Sequence, residues 1–560
     1  MNIGSKTELP VKWSTIAISV IFLFNLIDAA LAPLLDDEAY YWLWGQRLDW
    51  GYFDHPPAVA LVTKLGYSLF KNEFGLRLVS TILMAGTMLI LRRIVALQLE
   101  NQDAETLKKA DLLFALFIAS TPILQAYGYI TTPDVPLLFF GALFLLCILH
   151  YLKHLSWKMV WPIATVMAGL MYSKYHGALM ILLVVLALPK LMLDLKMWIA
   201  VGISVALFSP HIYWQYDNDW PSFTYHLVSR AKGFKIEQSV EFLLAQAAIF
   251  SLPALVLVLG NIKNSLSSKW KRVLLFQILG FVLVFLLSTL NGRAESHWTG
   301  LATLSSILLA VLLAIEIKPR FINAIKVSCV VLIALLFVAR VAILFSPPVL
   351  RDFLNNETWA QTIEKKANEK PVVFLNSYRR AAKYAFYTGK LAHSENNYYF
   401  RNNQFDIWQY DTLLYNQPVY YVTERVYNGL TKIDLHHDED FYGGIGTTYF
   451  PMQRLRSDSI SAHKSNEILE ISFNLNNPYN FDFQLDNRDF PVEFYCYARI
   501  PNNELIIRKI NVGTLGIIQR GRNQIIGTIS AEGISNGSEL IPMIRHNDFP
   551  QIKLGSSIIL

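Results

Sequence analysis

Long apolar runs recur through the first 345 residues of the chain, and most of them approach the length that crosses a membrane. A helix of about 20 apolar residues spans roughly 30 Å of hydrocarbon. The pattern predicts about 11 transmembrane helices, at residues 13–33, 77–98, 111–128, 135–152, 159–173, 176–189, 197–213, 241–260, 273–290, 299–316 and 326–345. We interpret the first run as an uncleaved helix rather than a signal peptide, because Pro33 would directly follow the candidate cleavage site and further spans come after it.

From residue 346 onwards the long apolar runs stop and the pattern becomes that of a soluble region. "PVVFLNSYRRAAKYAFYTG" predicts a buried strand followed by a helix ending at Gly389, and "PVYYVTERV" predicts another strand. After Phe450 come short alternating segments such as "ILEISFNL", "VEFYCYARI" and "NQIIGTIS", separated by turn residues. The chain is therefore predicted to have three parts, a membrane domain over 1–345, an α/β domain over 346–445 and a β-rich domain over 446–560.

Composition excludes an ordinary soluble protein, because 53% of the residues are hydrophobic, 16% are charged and the mean hydropathy is +0.33. The net charge of +6 comes from Lys and Arg in short loops, which favours membrane orientation over nucleic-acid binding. Cys147 and Cys329 lie inside apolar runs and Cys496 stands alone. The spacing of these cysteines indicates neither a disulfide framework nor a metal site.

The basic loops alternate with acidic and aromatic ones. By the positive-inside rule the basic set is cytoplasmic, together with the N-terminus, and an odd number of spans places everything after about residue 346 on the outer side. The basic set consists of Lys6, Lys12, Arg92, Arg93, Lys108, Lys109, Lys153, Lys158, Lys190, Lys196, Lys263, Lys269, Lys271, Arg272, Lys318, Arg320 and Lys326. Polar chemistry then gathers on one predicted face of the membrane, which indicates a one-sided site rather than a pore.

The first outer loop, residues 34–76, holds three adjacent acids and a rigid turn in "DDEAYYWLWGQRLDWGYFDHPP". Helical spacing of Tyr40, Tyr41 and Trp44 predicts a helix with an aromatic stripe at the membrane interface, with Asp36 as its N-cap and Asp37 and Glu38 in its first turn. A second helix is predicted to begin at Pro56-Pro57, with Asp54 or His55 as its cap. Three acids exceed the needs of one cap. A carboxylate near a helix N-terminus also stays ionised, which suits a general base or a metal ligand.

Other loops predicted to be on the same face add charged residues. "TTPDVPLLFF" places Asp134 at the start of a span, and "SKYHG" places Lys174 between two short spans. Individually these are ordinary helix caps or interface anchors. Together they form a candidate phosphate-binding set around the acids, with further members from "SRAKGFK" and "NGRAESHWTG": Arg230, Lys232, Lys235, Arg293, Glu295 and His297.

A divalent metal is the one cofactor that the pattern suggests, with Asp54 and His55 as candidate ligands, although their spacing does not define a ligand geometry. The sequence shows no G-x-S-x-G, P-loop, dinucleotide-binding glycine pattern or H-E-x-x-H in a fitting context. Their absence argues against a hydrolase, an ATPase or a metalloprotease.

The paired signal "DDEAYYW" and "DHPP" resembles the GT-C membrane glycosyltransferases, and within them the bacterial protein O-mannosyltransferase and lipid A aminoarabinose transferase group. "TTPDVPLLFF", "SKYHG" and "SHWTG" support the resemblance, which covers roughly residues 10–350. It implies a GT-C-like membrane fold and catalysis by the outer loop 34–76. The donor would be a polyprenyl-phosphate-linked sugar, and the acceptor an envelope lipid, glycan or protein. The implied location is the bacterial inner membrane, with the catalytic loop and C-terminal region periplasmic or extracellular.

The resemblance also implies residue roles. Asp37 matches the acid that acts on the acceptor nucleophile, with Asp36 as an alternative and Glu38 beside them, and Asp134 matches an acid that orients the acceptor or a metal. Asp54 and His55 occupy the positions of an acidic–basic pair whose lysine contacts the donor phosphate, so Lys174 or Arg293 would supply the charge that His55 lacks when neutral.

Two other classes fit the many spans. A transporter or lipid-linked sugar flippase would place its ionisable residues near the midplane and show corresponding halves, neither of which the sequence indicates. A non-catalytic scaffold would tolerate loss of Asp37 and Asp134. The sequence leaves open the sugar, the acceptor, the metal dependence and the role of the C-terminal region.

Overall fold

The computed structural model describes residues 12–226, 233–344, 356–397, 400–435, 440–465, 467–485, 491–513, 515–555 and 557–560. Backbone contacts divide the chain into two compact units, Met1–Leu350 and Arg351–Leu560. The predicted end of the membrane domain at residue 345 falls within 345–355, outside the described residues. The further division of the C-terminal part at residue 445 stays a prediction.

The first unit is built from α-helices. Its helices are α1 Trp13–Leu31, α2 Asp36–Gln46, α3 Ala58–Leu69, α4 Glu73–Gln98, α5 Ala104–Ala119, α6 Pro122–Ala126, α7 Asp134–His154, α8 Val160–Ser173, α9 His176–Ala187, α10 Leu195–Asp217, α11 Pro221–Thr224, α12 Ile236–Ala245, α13 Leu252–Leu259, α14 Ile262–Ser265, α15 Lys269–Ser288, α16 Gly300–Ala314 and α17 Pro319–Leu344. Helix starts coincide with capping side chains at several loops. Asn72 Oδ1 accepts from Gly75 N at 3.0 Å, and Asp103 Oδ1 accepts from Glu105 N at 2.9 Å.

Seven of the described helices are long and apolar enough to cross a membrane, or eight if the bent pair Ile236–Ala248 and Leu252–Leu259 is one span. The chain is thus a multi-pass membrane protein, but the predicted count of about 11 spans is not confirmed. The apolar segment predicted at 111–128 is divided between the end of α5, a helix of 16 residues, and α6, a helix of 5 residues. The segments predicted at 159–173 and 176–189 form α8 and α9, which have 14 and 12 residues. Their apolar content is that of a span, while their helices end early.

The first unit packs around α16, of which every residue is buried. Apolar side chains of α4, α5, α7, α8, α9 and α15 join it in one continuous core. The peripheral helices contrast with α16: 33% of the apolar window of α1 and 11% of that of α17 are buried within the protein. Their exposed apolar faces are consistent with contact to lipid.

The second unit contains a five-stranded sheet and a set of antiparallel strands. The five-stranded sheet has the order β2-β1-β3-β5-β4, in which β1 is parallel to β2 and β3 while β3, β5 and β4 are antiparallel. These strands are β1 Val372–Leu375, β2 Ala392–Glu395, β3 Val419–Thr423, β4 Thr431–Ile433 and β5 Phe441–Gly446. Helix α18, Asn356–Ala367, precedes β1. The predicted strand–helix unit is confirmed, because β1 leads into α19, Tyr378–Thr388, which ends at Gly389 with φ of 69°.

The remaining strands pair antiparallel with one another. They are β6 Arg456–Ser465, β7 Ile468–Asn477, β8 Phe483–Gln484, β9 Val492–Arg499, β10 Leu505–Lys509, β11 Ile517–Ile518, β12 Gly521–Ser530, β13 Glu539–His546, β14 Ile552–Lys553 and β15 Ile558–Ile559. The three segments predicted from alternation correspond to β7, β9 and β12. Both parts of the second unit share a core, since the ring of Phe549 lies 4.6 Å from that of Tyr421 on β3.

Candidate active site

The acidic loop forms the two predicted helices, but the caps differ from the prediction. Leu35 occupies the N-cap position of α2 and Asp36 is the first helical residue. Glu38 completes the start of the helix by accepting a hydrogen bond from Leu35 N at 3.1 Å. This is the reciprocal half of a capping box, in which the third helical residue reaches back to the N-cap amide. The N-cap of α3 is Pro57, so neither Asp54 nor His55 occupies that position as predicted.

Glu38 forms a buried ion pair with Arg77 of α4. Its two oxygens accept from Arg77 Nε at 2.9 Å and Nη2 at 2.6 Å, and Oε1 also accepts from Thr131 N at 2.9 Å. The Arg77 guanidinium donates further to the carbonyl oxygens of Ala32 at 2.6 Å and Pro33 at 2.8 Å. These contacts fix the start of α2, and with it Asp36 and Asp37, against the loop that leads to Asp134. Asp36 and Asp37 themselves are partly exposed.

Asp134 and Lys174 form a second buried pair. Lys174 Nζ lies 2.9 Å from each carboxylate oxygen of Asp134, and the side chains are 6% and 7% exposed. Asp134 is the first residue of α7, and Lys174 follows the end of α8. The lysine is therefore an internal partner of an acid rather than an anchor reaching to the interface. A buried pair of this kind presents its remaining hydrogen-bonding capacity to a ligand in a low-dielectric setting.

His55 lies among aromatic rings and near these charges. Its ring is 6.2 Å from that of Tyr41 and 6.4 Å from that of Trp44, and Nδ1 is buried and has no hydrogen-bond partner among the described residues. Burial lowers the pKa of His55 to about 3, with the positive charge of Lys174 adding to the effect and the carboxylate of Asp54 opposing it. A pKa this low keeps His55 neutral at physiological pH, and a neutral imidazole can donate one hydrogen bond but brings no charge.

The turn that carries His55 is held by a group of residues that we call the His211 network. Tyr175, His211, Gln215 and Ser222 contribute side chains, and Trp50 contributes its backbone carbonyl. His211 Nδ1 lies 2.7 Å from the carbonyl oxygen of Trp50, and its Nε2 lies 2.8 Å from Tyr175 Oη. Gln215 Nε2 donates to Tyr175 Oη at 3.0 Å and to Ser222 Oγ at 2.8 Å. Ser222 Oγ then donates to the carbonyl oxygen of Phe53 at 2.9 Å. The network connects both ends of the turn to α10 and α11.

Sequence reasoning missed the His211 network, although a signal for it exists. His211 and Gln215 are four residues apart in the apolar span α10, on one helical face, and polar side chains inside a span usually have a purpose. The missed group extends to His226, whose Nε2 lies 3.0 Å from the carbonyl oxygen of Asp54. The aromatic residues of α2 were also misplaced, since Tyr40, Tyr41 and Trp44 are buried rather than at an interface.

Two further histidines, His297 and His176, lie near the pair formed by Asp134 and Lys174. His297 and His55 both lie close enough to Asp134 to interact with its charge. The ring of His176 packs 4.8 Å from Phe285 and 5.4 Å from Trp298, and its charge would interact with Lys174 and His297. The structure thus brings Asp54, His55, Asp134, Lys174 and His297 into one neighbourhood. Glu38 of α2 reaches the loop before Asp134 through its hydrogen bond from Thr131 N.

The other described cations of the predicted phosphate-binding set, Arg293 and Lys235, are exposed, unlike Lys174. Arg293 is 69% exposed and pairs with Glu295 of its own loop at 4.0 Å, so its guanidinium is not part of the buried group around Asp134. Lys235 is exposed at the start of α12. Arg230, Lys232 and the N-terminal Lys6 lie outside the described residues. Lys174 is the predicted cation that the structure places among the acids.

The predicted metal ligands do not make a ligand set. Among the described residues, no three His, Cys, Asp or Glu side chains converge as a metal site would require. Asp54 and His55 are adjacent in the chain, but the third nearby acid, Asp134, is bonded through both oxygens to Lys174. The metal dependence of the protein therefore stays a prediction.

An apolar cavity of about 460 Å³ adjoins the His211 network. Tyr175, His211 and Gln215 border it, and the rest of its wall is mostly apolar: Met167, Met171, Ala178, Ile181, Val201, Ser204, Val205, Phe208, Ile212, Trp220 and Phe223. The His211 network and a cavity suited to hydrocarbon therefore meet at these three side chains.

Part of the chain is similar in sequence to known proteins. A family model described as "Dolichyl-phosphate-mannose-protein mannosyltransferase" matches residues 54–214, a range that begins at Asp54 and includes Asp134, Lys174 and His211. The lipid A galacturonosyltransferase RgtD of Rhizobium johnstonii is 24% identical over 293 residues, which are 49% of this chain. The match spans 59% of that relative's own length.

Solved structures identify the fold. Crystal structures of ArnT from Cupriavidus metallidurans, bound to undecaprenyl phosphate and in the apo state, match with TM-scores of 0.59 and 0.56 at 14% sequence identity. The two matches cover 79% of this chain and 100% and 99% of the ArnT chains. The predicted resemblance is confirmed at the level of the fold: this is a polytopic membrane protein of the GT-C type with a strand-rich C-terminal region.

Proposed function

We propose that this protein is a glycosyltransferase that moves a sugar from a polyprenyl-phosphate donor to an envelope lipid, glycan or protein. The observation that carries the proposal is the convergence of Lys174, Asp134 and a neutral His55, together with an apolar cavity bordered by Tyr175, the residue that follows Lys174. A phosphate with a hydrocarbon tail needs a cation, hydrogen-bond donors and an apolar groove, and this site offers all three. The names of the matched family and relative support the same chemistry.

In this proposal, different residues activate the acceptor and stabilise the leaving phosphate. Asp37 accepts the proton of the acceptor hydroxyl, and Asp36 is the alternative base. The acceptor oxygen attacks the anomeric carbon as the bond from that carbon to the phosphate oxygen breaks. The lipid phosphate leaves with the bonding electrons, its charge stabilised by Lys174 and by a hydrogen bond from His55. One inverting displacement needs no protein nucleophile, in agreement with the lack of a nucleophile motif in the sequence.

Glu38 and the His211 network act by positioning. The carboxylate oxygens of Glu38 already accept hydrogen bonds from Arg77, Leu35 and Thr131. We therefore assign Glu38 to holding α2 in place and not to proton transfer. Asp134 holds Lys174 at the site and orients the acceptor. The site faces the outer side of the membrane in this proposal, as the distribution of Lys and Arg among the loops predicts.

The decisive experiment compares a deletion strain complemented with wild-type protein, Asp37→Asn or Asp36→Asn. Loss of a general base typically lowers a rate by about 10²–10⁴-fold. We expect one of the two variants to lack the glycosylated product and to accumulate polyprenyl-linked sugar, as measured by mass spectrometry of envelope lipids, glycans and glycoproteins. The accumulating donor identifies the sugar, and the missing product identifies the acceptor.

Asp49→Asn is the matched control, because Asp49 is an exposed acid of the same loop whose Oδ1 accepts from Trp50 N at 2.7 Å. It should restore the parental profile. If Asp36→Asn and Asp37→Asn also restored that profile, the proposed chemistry would be wrong.

A further inference from the structure

The second unit contains a small polar cavity of about 270 Å³ that the proposed reaction does not use. Its wall is almost entirely hydrogen-bonding side chains, with one aromatic ring: Asn396, Asn397, Phe400, Asn402, Asp406, Gln453, Arg456, Ile552, Lys553 and Gly555. Pockets for drug-sized ligands occupy about 300–1,000 Å³ and are mostly apolar. A cavity just below that range, lined by amides and charges, fits one small and highly polar ring.

The wall of this cavity is already ordered. Asp406 accepts hydrogen bonds from Asn396 Nδ2 at 2.7 Å, Asn403 N at 2.7 Å and Gln453 Nε2 at 3.2 Å. Gln453 Oε1 lies 2.7 Å from His393 Nε2, and Asn376 Oδ1 accepts from Asn397 N at 2.9 Å. Because these side chains are oriented before any ligand arrives, a ligand does not have to order them.

The position of the cavity in the fold is that of a binding site. Asn396 and Asn397 directly follow β2, and Asn376 directly follows β1, at the carboxyl ends of two parallel strands. Ligands of open α/β sheets bind outside the carboxyl ends of the strands. The opposite wall comes from the start of β6 and from β14, so the cavity lies between the two parts of the second unit.

The rim of the cavity is positively charged. Among the described residues that line the cavity, Arg456 and Lys553 are the cations and Asp406 is the one acid, and burial raises the pKa of Asp406 to about 6. Arg456 is held in place because Nη1 donates to the carbonyl oxygens of Gln453 at 2.6 Å and Leu455 at 2.9 Å. Two exposed cations beside one acid favour an anionic ligand.

We propose that this cavity binds a single sugar residue that carries a carboxylate or a phosphate, as part of the glycan on which the protein acts. Only the assignment of that sugar to the acceptor rests on the proposed function. The binding itself does not depend on catalysis.

The test is saturation-transfer difference NMR on the purified full chain in detergent micelles, with galacturonate, glucose 6-phosphate and glucose as probes. We expect at least one of the anionic sugars to give a signal several times that of glucose. The double variant Arg456→Gln/Lys553→Gln should weaken that binding roughly tenfold, since it removes charge-assisted hydrogen bonds. Comparing galacturonate with glucose 6-phosphate tells whether carboxylate or phosphate is preferred.

Arg522→Gln/Lys432→Gln is the control, because these two cations of the same unit are 63% and 60% exposed and pair with other acids. It should keep the wild-type signal, as should Asp37→Asn. Absence of binding to the wild type, equal binding of glucose, or an unchanged signal in Arg456→Gln/Lys553→Gln would overturn the proposal. Loss of the signal in Asp37→Asn would also overturn it, by placing the sugar in the candidate active site. A failure of the transferase proposal would be seen separately, in the envelope profile.

Discussion

The three adjacent acids of α2 have different environments, and the difference assigns their roles. The side chain of Glu38 is 1% exposed and pairs with Arg77, while Asp36 and Asp37, in the same first turn of the helix, are partly exposed. Removing one partner of a buried ion pair leaves an uncompensated charge, which costs far more than removing an exposed acid. Burial and pairing therefore distinguish Glu38 from Asp36 and Asp37, the two acids that we propose as candidates for the base.

Glu38→Gln should lower the free energy of unfolding by about 3–5 kcal/mol, because it leaves the Arg77 charge buried. Thermal unfolding in detergent, followed by circular dichroism, measures the change. Glu100→Gln is the matched control, since Glu100 is 41% exposed and pairs with Lys153; it should cost less than about 1 kcal/mol. Equal shifts in the two variants would contradict the buried pair.

His55 makes stability depend on pH. Its pKa is lowered to about 3 in the folded protein, so between about pH 3 and its ordinary value of 6.5 the unfolded chain binds the extra proton. Stability should fall as the pH drops below about 6.5, by roughly 1–2 kcal/mol from this residue at pH 5. His55→Asn should remove that part of the dependence of the melting temperature on pH.

His154→Asn provides the comparison, because His154 is exposed at the end of α7. That variant should keep the wild-type dependence on pH. A His55→Asn protein whose melting temperature varies with pH as the wild type does would show that His55 is not buried in its neutral form.

At the scale of elements, the turn before α3 depends on close approach to α10. A Cβ atom on Gly51 would lie 2.3 Å from Trp214 Cε3 and 2.9 Å from His211 Nδ1. No side chain larger than hydrogen fits there unless α10 moves. The turn and the His211 network are thus one packed unit, and His55 has its position because α10 lies against Gly51.

Gly51→Ala should reduce sugar transfer strongly and destabilise the protein by about 1–3 kcal/mol, because overpacking displaces the turn. Gly202→Ala is the control within α10, since a Cβ atom there meets nothing within 4 Å. It should leave transfer unchanged and stabilise the helix slightly. Envelope analysis in the complemented strain and a melting curve measure the two effects. Wild-type transfer by Gly51→Ala would rule out a fixed turn.

The hydropathy pattern predicted where several helices lie, but not how they begin and end. The segments that form α2, α3 and α7 were located from spacing and turn residues, because these signals are local. Their capping residues were not, because Glu38 and Pro57 act through contacts that hydropathy does not encode. The short helices α5, α8 and α9 likewise have the apolar content of a span but end where the backbone turns.

Across the first unit, one largely covered arginine connects the peripheral helix α17 to the rest. Arg340 of α17 donates from Nε to Asp28 Oδ2 at 2.7 Å, from Nη2 to Asn25 Oδ1 at 2.9 Å and from Nη1 to Gln125 Oε1 at 2.9 Å. Asn25 and Asp28 belong to α1, and Gln125 belongs to α6. Since only 11% of the apolar window of α17 is buried, polar contacts contribute much of its specific attachment.

Arg340→Leu should loosen α17, because it leaves Asp28 buried without its cation. The ring centroids of Phe24 and Phe337 lie 5.7 Å apart, so cysteines at these two positions report on the contact through a short thiol crosslinker. We expect the crosslinking yield to fall about fivefold or more in Arg340→Leu. Arg320→Leu, at the exposed start of the same helix, should keep the yield. An unchanged yield in Arg340→Leu would mean that apolar packing alone holds α17.

The sequence by itself determined the class of the molecule. The GT-C type was implied by the resemblance of the paired "DDEAYYW" and "DHPP" signal to that family. Runs of apolar residues long enough to span a bilayer and the change of pattern near residue 346 are local properties, and they predicted a membrane domain followed by a soluble, strand-rich region. Local patterns suffice for this because solvent transfer and backbone hydrogen bonding act residue by residue.

Only the tertiary structure decided which charges meet. Arg77 is 39 residues from Glu38 in the chain, and Lys174 is 40 residues from Asp134. The His211 network joins residues as far as 170 positions apart. No local pattern records such partners, because the energy of a buried charge depends on what folding brings beside it. The same physics pairs Glu38 with Arg77 and Lys174 with Asp134, two buried contacts that the local sequence does not show.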